Sequence, residues 1–162
     1  MVFCYLIIVI CFNKCYYLFH KIKIKIKTER RGQKMNALGI QLVVEMYRCN
    51  RATLNNRDMI EKFMLQAVEV SGATIIQPFF HLFSPYGVSG VVVIAESHVA
   101  IHTWPEYGYA AVDVFTCGET INPQVIVDHL RERLEAEEMS VQEIKRGVLN
   151  LPGDNIRHKP DA

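Results

Sequence analysis

The 162 residues are 50% hydrophobic and 22% charged, a composition that excludes disordered, collagen-like and disulfide-dense chains and suits one domain with a real core. The formal charge of +1 divides into +7 over residues 1–34 (six Lys, two Arg, one Glu) and −6 over residues 35–162 (three Lys, seven Arg, sixteen acids). An acidic body argues against sequence-independent binding to nucleic-acid phosphates.

Residues 2–12 are apolar throughout, Asn13 and Lys14 interrupt, and 15–19 resume the run. The stretch is about as long as the ~17-residue minimum for a membrane-spanning helix. Lys21, Lys23, Lys25 and Lys27 then alternate with Ile22, Ile24 and Ile26. A secretory signal would carry its positive charge before the apolar stretch, whereas here it follows. As an anchor, the Lys-rich side would keep the body in the cytoplasm. The simpler expectation makes Met35 the true start and residues 1–34 an upstream extension, with the body cytoplasmic and touching a membrane only if the leader is real. Cys4, Cys11 and Cys15 lie in this leader, so the body holds Cys49 and Cys117, which suits a reducing compartment better than a disulfide framework.

Residues 38–47 (LGIQLVVEMY) read as a buried strand. Asn55 or Asn56 caps a predicted helix in which Ile60, Phe63, Met64, Ala67 and Val68 recur at helical spacing, and Gly72 ends it. A strand at about 74–83 follows, with Pro78 placing it at an edge or a bulge. Three short β-like runs come next, at 90–95, 98–104 and 109–116. Asn122 and Pro123 open a second helix whose inward stripe is Val127, Leu130 and Leu134. The last predicted strand, 140–146, carries Val141 and Ile144, and from Val148 the chain reads as a polar tail. The order β-α-β-β-β-β-α-β implies an α+β fold, with an antiparallel sheet covered on one face by two main helices. A second copy is the economical cover for the other face.

Reactive side chains are densest between Ser89 and Cys117: Ser89, Glu96, Ser97, His98, His102, Glu106, Asp113 and Cys117. Strand parity puts His98, His102 and Trp104 on one face of their strand, and Asp113, Phe115 and Cys117 on one face of theirs. Residue types alone leave several readings open. His98, His102 and Cys117 are zinc-binding types, but a CxxC or a fourth convincing ligand is missing. Cys117 with His102 as base would make a hydrolase, although Cys117 lies late on a strand and not at a helix start that lowers its pKa. Ser97 attacking its own backbone at Glu96 would need a strained peptide, a donor for the scissile carbonyl and a nearby base. Finally, these groups could simply line a sheet.

The string FSPYGVSGVVVIAESHVAIHTWPEYGYAAVDVFTCG, over residues 83–118, resembles the core of the bacterial and archaeal S-adenosylmethionine decarboxylase proenzymes. The similarity includes LGIQLVVEMYRC, GATIIQPFFHLFSP and VQEIKRG, and runs from about Ala37 to Gly147. Residues 35–147 are therefore expected to form the decarboxylase domain, flanked by the 1–34 leader and a 148–162 tail that inherit no function.

The resemblance implies a self-processing enzyme with a pyruvoyl group derived covalently from Ser97 and no metal. Ser97 would attack the carbonyl carbon of Glu96, giving an ester that eliminates to the pyruvoyl-bearing α chain and leaves a β chain ending at Glu96. Ser89 matches the serine that holds the carbonyl, His102 the proton acceptor in the elimination, and Cys117 the proton donor during decarboxylation. Glu106, Trp104 and Phe83 match ligand contacts, with Phe83 stacking on adenine. The implied fold is an α/β sandwich pairing as a homodimer with active sites between protomers. The implied reaction takes S-adenosylmethionine to its decarboxylated form and CO2 for polyamine synthesis. The alternatives are the same chemistry on arginine or ornithine, or a nucleoside-binding protein that does not process.

Overall fold

Every second residue of the strand 109–117 is buried, from Ala110 through Val112 and Val114 to Thr116, while Tyr109, Ala111, Asp113, Phe115 and Cys117 are half-buried. That alternation is the signature of a sheet with one face in the core. The computed structural model describes residues 37–118 and 121–149, so the leader and the tail beyond Leu149 lie outside the described residues.

The strands are β1 (Gly39–Tyr47), β2 (Ile75–Leu82), β3 (Val88–Ile94), β4 (Ser97–Trp104), β5 (Tyr109–Cys117) and β6 (Glu138–Arg146). They form one six-stranded sheet in the order β2-β3-β4-β5-β1-β6, with antiparallel pairing throughout. The helices are α1 (Arg51–Leu54), α2 (Arg57–Val70) and α3 (Pro123–Arg133), with a 3₁₀ turn at Pro105–Tyr107. Helix α2 packs on β2 and β3, α3 packs on β5 and β1, and the two helices touch each other. This is the expected two-layer α+β architecture with two main helices.

Local chemistry sets the helix starts. Asn56, not Asn55, caps α2 by accepting from Met59 N at 3.1 Å, and Asn55 Oδ1 instead accepts from Gly87 N at 3.0 Å. Asn122 caps α3 at Gln124 N, 3.1 Å, with Pro123 in the first turn. Helix α1 adds an element the sequence reading did not contain, capped by Asn50 Oδ1 on Ala52 N and Thr53 N. The core lies between the layers, where Ile60, Met64 and Val68 of α2 and Ile126, Val127 and Leu130 of α3 meet Leu42, Val44, Val99, Ile101, Val112 and Val114. Each such side chain contributes about 1.5–3 kcal/mol on burial. Phe80 closes the β2 end: a Cβ on Gly90 would sit 2.1 Å from its ring, so the glycine makes room for the aromatic. Pro78 lies on edge strand β2, where a missing N–H costs least, and the register shifts between Ile75 and Gln77.

Among the described residues, no helix covers the other sheet face. It presents Val43, Val91, Ala100 and Phe115 together with the polar groups described next, and Phe79 is 66% exposed there. Among the described residues, no helix is long and apolar enough to cross a membrane.

Candidate active site

Parity along β4 sends Val99, Ile101 and Thr103 into the core and leaves His98, Ala100, His102 and Trp104 on the helix-free face. Registered pairs then build rows across that face. Ser89 stands opposite His102, Ala100 opposite Asp113, and His98 opposite Phe115. The candidate residues fall into two groups at opposite ends of β4.

The first group surrounds the hairpin between β3 and β4. Ile94 pairs with Ser97, so Ala95 and Glu96 form a two-residue turn. Such turns ordinarily take positive φ at their central residues. Neither Ala95 nor Glu96 does so, and the departure falls on Ser97, at φ 147°. Holding a non-glycine residue there costs about 1–3 kcal/mol. The turn is anchored on both sides. Ala95 N donates to Thr74 O at 2.9 Å, Thr74 N donates to Glu96 Oε2 at 3.2 Å, and Cys117 N donates to Glu96 O at 2.8 Å. The Ser97 hydroxyl lies 3.4 Å from His98 Nδ1. Burial pushes the Cys117 thiol above the ordinary thiol range. Gly39 stands opposite Cys117 across the β1–β5 ladder, and a Cβ there would lie 3.0 Å from Sγ.

The second group sits at the far end. Ser89 Oγ is 2.7 Å from His102 Nδ1, and His81 lies opposite Ser89 on β2. The Trp104 ring lies 6.4 Å from His102 and 5.3 Å from Tyr109, which in turn is 5.5 Å from Tyr47. The Tyr109 hydroxyl donates to Glu45 Oε2. Desolvation, with the neighbouring Glu45 carboxylate, pushes the phenol up to about 12. Phe83 is 49% exposed and meets His81 edge-on at 4.6 Å, while Glu106 projects from the 3₁₀ turn.

The structure therefore brings Glu96, Ser97 and Cys117 together, and separately Ser89, His102 and Trp104. Ser97 and His102 are five positions apart on one strand, which is roughly 17 Å at an extended rise. Within one chain His102 does not reach Ser97, and Ser89, expected to hold the scissile carbonyl, lies beside His102 instead, while Glu96 O accepts from Cys117 N. Nor do His98, His102 and Cys117 converge: among the described residues, no three His, Cys, Asp or Glu side chains are grouped to hold a metal ion.

Two features escaped the sequence reading. Parity puts Ser97 inward and His98 outward, so their contact depends on the irregular backbone at Ser97. The Glu45–Tyr109 pair has a clear signal only once β1 and β5 are known to be neighbours.

Comparison with known proteins adds a family. Residues 40–147 match the family model for S-adenosylmethionine decarboxylase. The S-adenosylmethionine decarboxylase proenzyme of Acetivibrio thermocellus is 57% identical over 118 residues, covering 73% of this chain and 95% of the relative. That of Thermotoga maritima is 56% identical over 124 residues, covering 75% and 95%. The crystal structure of the adenosylmethionine decarboxylase from Aquifex aeolicus superposes with a TM-score of 0.68 at 31% identity, covering 72% of this chain and 97% of that one.

Proposed function

The chain belongs to the S-adenosylmethionine decarboxylase family, and from that premise we propose that it is a self-processing enzyme that splits between Glu96 and Ser97 and then releases CO2 from S-adenosylmethionine. The observation that carries the reading is the Glu96–Ser97 junction. It supplies the strained residue and the carbonyl donor that internal attack requires, in a serine at φ 147° and a Cys117 N–H 2.8 Å from Glu96 O.

In this reading the Ser97 oxygen attacks the Glu96 carbonyl carbon, and the Cys117 N–H steadies the charge that develops on Glu96 O. His102 of a second copy then accepts the proton lost from Ser97 Cα in the elimination, while Ser89, 2.7 Å from Nδ1 of the His102 in its own chain, orients that imidazole. The pyruvoyl ketone left at position 97 supplies an electron sink for loss of CO2. Cys117 holds a proton for the substrate α carbon, and burial suits it to that task by keeping the thiol protonated. Trp104, Phe83 and Glu106 form the nucleoside-binding set: aromatic faces for the base, and a carboxylate for the ribose hydroxyls. Arginine and ornithine offer neither a flat base nor a ribose, so this set favours S-adenosylmethionine, whose product would feed aminopropyl transfer in polyamine synthesis.

The separation of the two groups favours a homodimer. A second copy packed on the helix-free face by a twofold axis can set its His102 end against the Ser97 end of the first, and symmetry completes two sites at once. The same packing would cover Phe79, Val91 and Phe115.

Intact-mass measurement of the purified protein tests the reading. Two products, 1–96 and 97–162, the second with a blocked N-terminus, are expected, and Ser97→Ala should stay whole. CO2 release should be found with S-adenosylmethionine and not with arginine or ornithine. A single unsplit chain that binds the nucleoside without turnover would establish the binding-protein alternative instead.

A further inference from the structure

Building on the processing reading above, we propose that His98 is the base of the first processing step: its Nδ1 takes the proton from the Ser97 hydroxyl as that oxygen attacks the Glu96 carbonyl. The two atoms lie 3.4 Å apart, and among the described residues His98 is the imidazole within hydrogen-bonding reach of that hydroxyl. His102 is roughly 17 Å further along the strand, and its own Nδ1 faces Ser89 at 2.7 Å. For Nδ1 to accept, the ring hydrogen must reside on Nε2.

The imidazole is held in place from the neighbouring strand. It meets the Phe115 ring at 5.8 Å and 63°, an edge-on contact between registered partners. Arg146 lies 5.4 Å over the same phenyl ring and donates to Gln41 Oε1, while Gln41 Nε2 donates to Asp113 Oδ1 at 3.2 Å. The Phe115 ring thus braces the imidazole from the neighbouring strand, with the Ser97 hydroxyl 3.4 Å from Nδ1.

The step balances without a co-reactant. The Ser97 Oγ–H bond breaks and its proton passes to Nδ1, while Oγ bonds to the Glu96 carbonyl carbon. The carbonyl π pair moves to Glu96 O, which the Cys117 N–H holds at 2.8 Å. The pair then returns, the carbon–nitrogen bond to Ser97 breaks with its electrons on nitrogen, and Nδ1 gives that nitrogen the proton. An ester and an amine result, with His98 restored. Every group in the step belongs to one chain.

The test follows the full chain after refolding and counts what has passed the first step, as chain already split plus chain that hydroxylamine splits at residues 96–97. His98→Asn keeps an acceptor near the Nδ1 position but no useful basicity. With Ser97 as nucleophile, it should slow the first step by on the order of 10²-fold or more, with no hydroxylamine-sensitive chain accumulating. In a Ser97→Cys background the nucleophile ionises far more readily, so the same change should cost far less. A purely architectural role would give equal losses in the two backgrounds. Equal losses, or a His98→Asn rate within about threefold of the unaltered chain against the expected 10²-fold, would overturn the assignment. An unaltered chain that never splits between Glu96 and Ser97 would overturn the processing reading itself.

Discussion

The main-chain N–H of Cys117 reaches the carbonyl oxygen of Glu96 at 2.8 Å, so the last residue of β5 grips the turn that leads into β4. The contact is made by the backbone, and a change of side chain leaves the donor in place. The thiol and the main chain of one residue can therefore be separated experimentally.

Cys117→Ala should still split between Glu96 and Ser97, because the donor to Glu96 O survives. Decarboxylation should fall by roughly 10²-fold or more, the usual span for loss of a positioned acid. The residual activity should also decay during turnover, as misplaced protonation turns the group at position 97 into an alanine residue. Mass spectrometry of the 97–162 product would reveal that conversion. Wild-type rate and lifetime in this variant would return Cys117 to the status of a half-buried structural thiol.

The pH dependence follows from the same thiol. A donor must be protonated, so turnover falls as pH rises through its pKa, and burial has raised that pKa above the ordinary thiol value. The basic limb of kcat, measured on fully processed enzyme, should therefore lie higher than an unperturbed cysteine would place it. A thiol-dependent limb at or below neutral pH is incompatible with this assignment.

Two inactive chains should repair each other. If Ser97 and Cys117 act with the partner copy's Ser89 and His102, a mixed dimer of Ser97→Ala and His102→Ala chains contains one intact composite site. Splitting should appear in the His102→Ala chain alone, read from differently tagged chains on a gel. No splitting in the mixed dimer would mean that the two groups do not meet across a dimer.

Gly39→Ala places a methyl group 2.7 Å from Thr116 O, 2.8 Å from Phe115 Cε2 and 3.0 Å from Cys117 Sγ. Two of these atoms belong to rings or backbone within a ladder and cannot simply swing away. A loss of about 1–3 kcal/mol in urea unfolding is expected. Slower splitting should accompany it, because the strain falls on the strand end that holds Glu96 O. Unchanged stability and splitting would show that β1 can move away at Gly39.

His129 offers a test of acid lability remote from the site. Its Nε2 is buried without a hydrogen-bond partner among the described residues, and burial, with Arg133 nearby, lowers its pKa. The unfolded chain thus takes up the proton first, and stability should decline as pH falls below the ordinary value of 6.5. His129→Leu should flatten that decline, seen as a smaller drop in urea midpoint between neutral and mildly acidic buffer. Parallel curves for the two proteins would place the acid sensitivity elsewhere.

Much of the fold is legible in local pattern. The alternation of Ala110, Val112, Val114 and Thr116 against Asp113, Phe115 and Cys117 marks a half-buried strand, and Asn122-Pro123 marks a helix start. Four-residue α1 leaves no periodicity to read, since its signal is confined to one Asn50 cap. Asn55 and Asn56 are equally good caps in isolation, and only the return of Gly87 beneath Asn55 decides between them. The site divides in the same way. Residue types and the ESH string pick out Ser97, but the pairing of Ser89 with His102, and the distance of both from Ser97, depend on strand register. His98 is hidden by the parity rule itself, because one irregular φ brings together side chains that a regular strand would send to opposite faces.

The order of strands decides what the proposed cut would do to the protein. Cleavage after Glu96, as proposed, would leave β1, β2 and β3 on one fragment and β4, β5 and β6 on the other, yet the sheet runs β2-β3-β4-β5-β1-β6. The fragments would be interleaved, with β1 of the first wedged between β5 and β6 of the second. Three of the five interstrand ladders, β3–β4, β5–β1 and β1–β6, would then join separate polypeptides. Such a nick could therefore not release either piece without dismantling most of the sheet. Once denatured, such fragments would face a bimolecular search that the uncut chain does not make, and folding of the uncut chain should be the faster by a margin that grows with dilution.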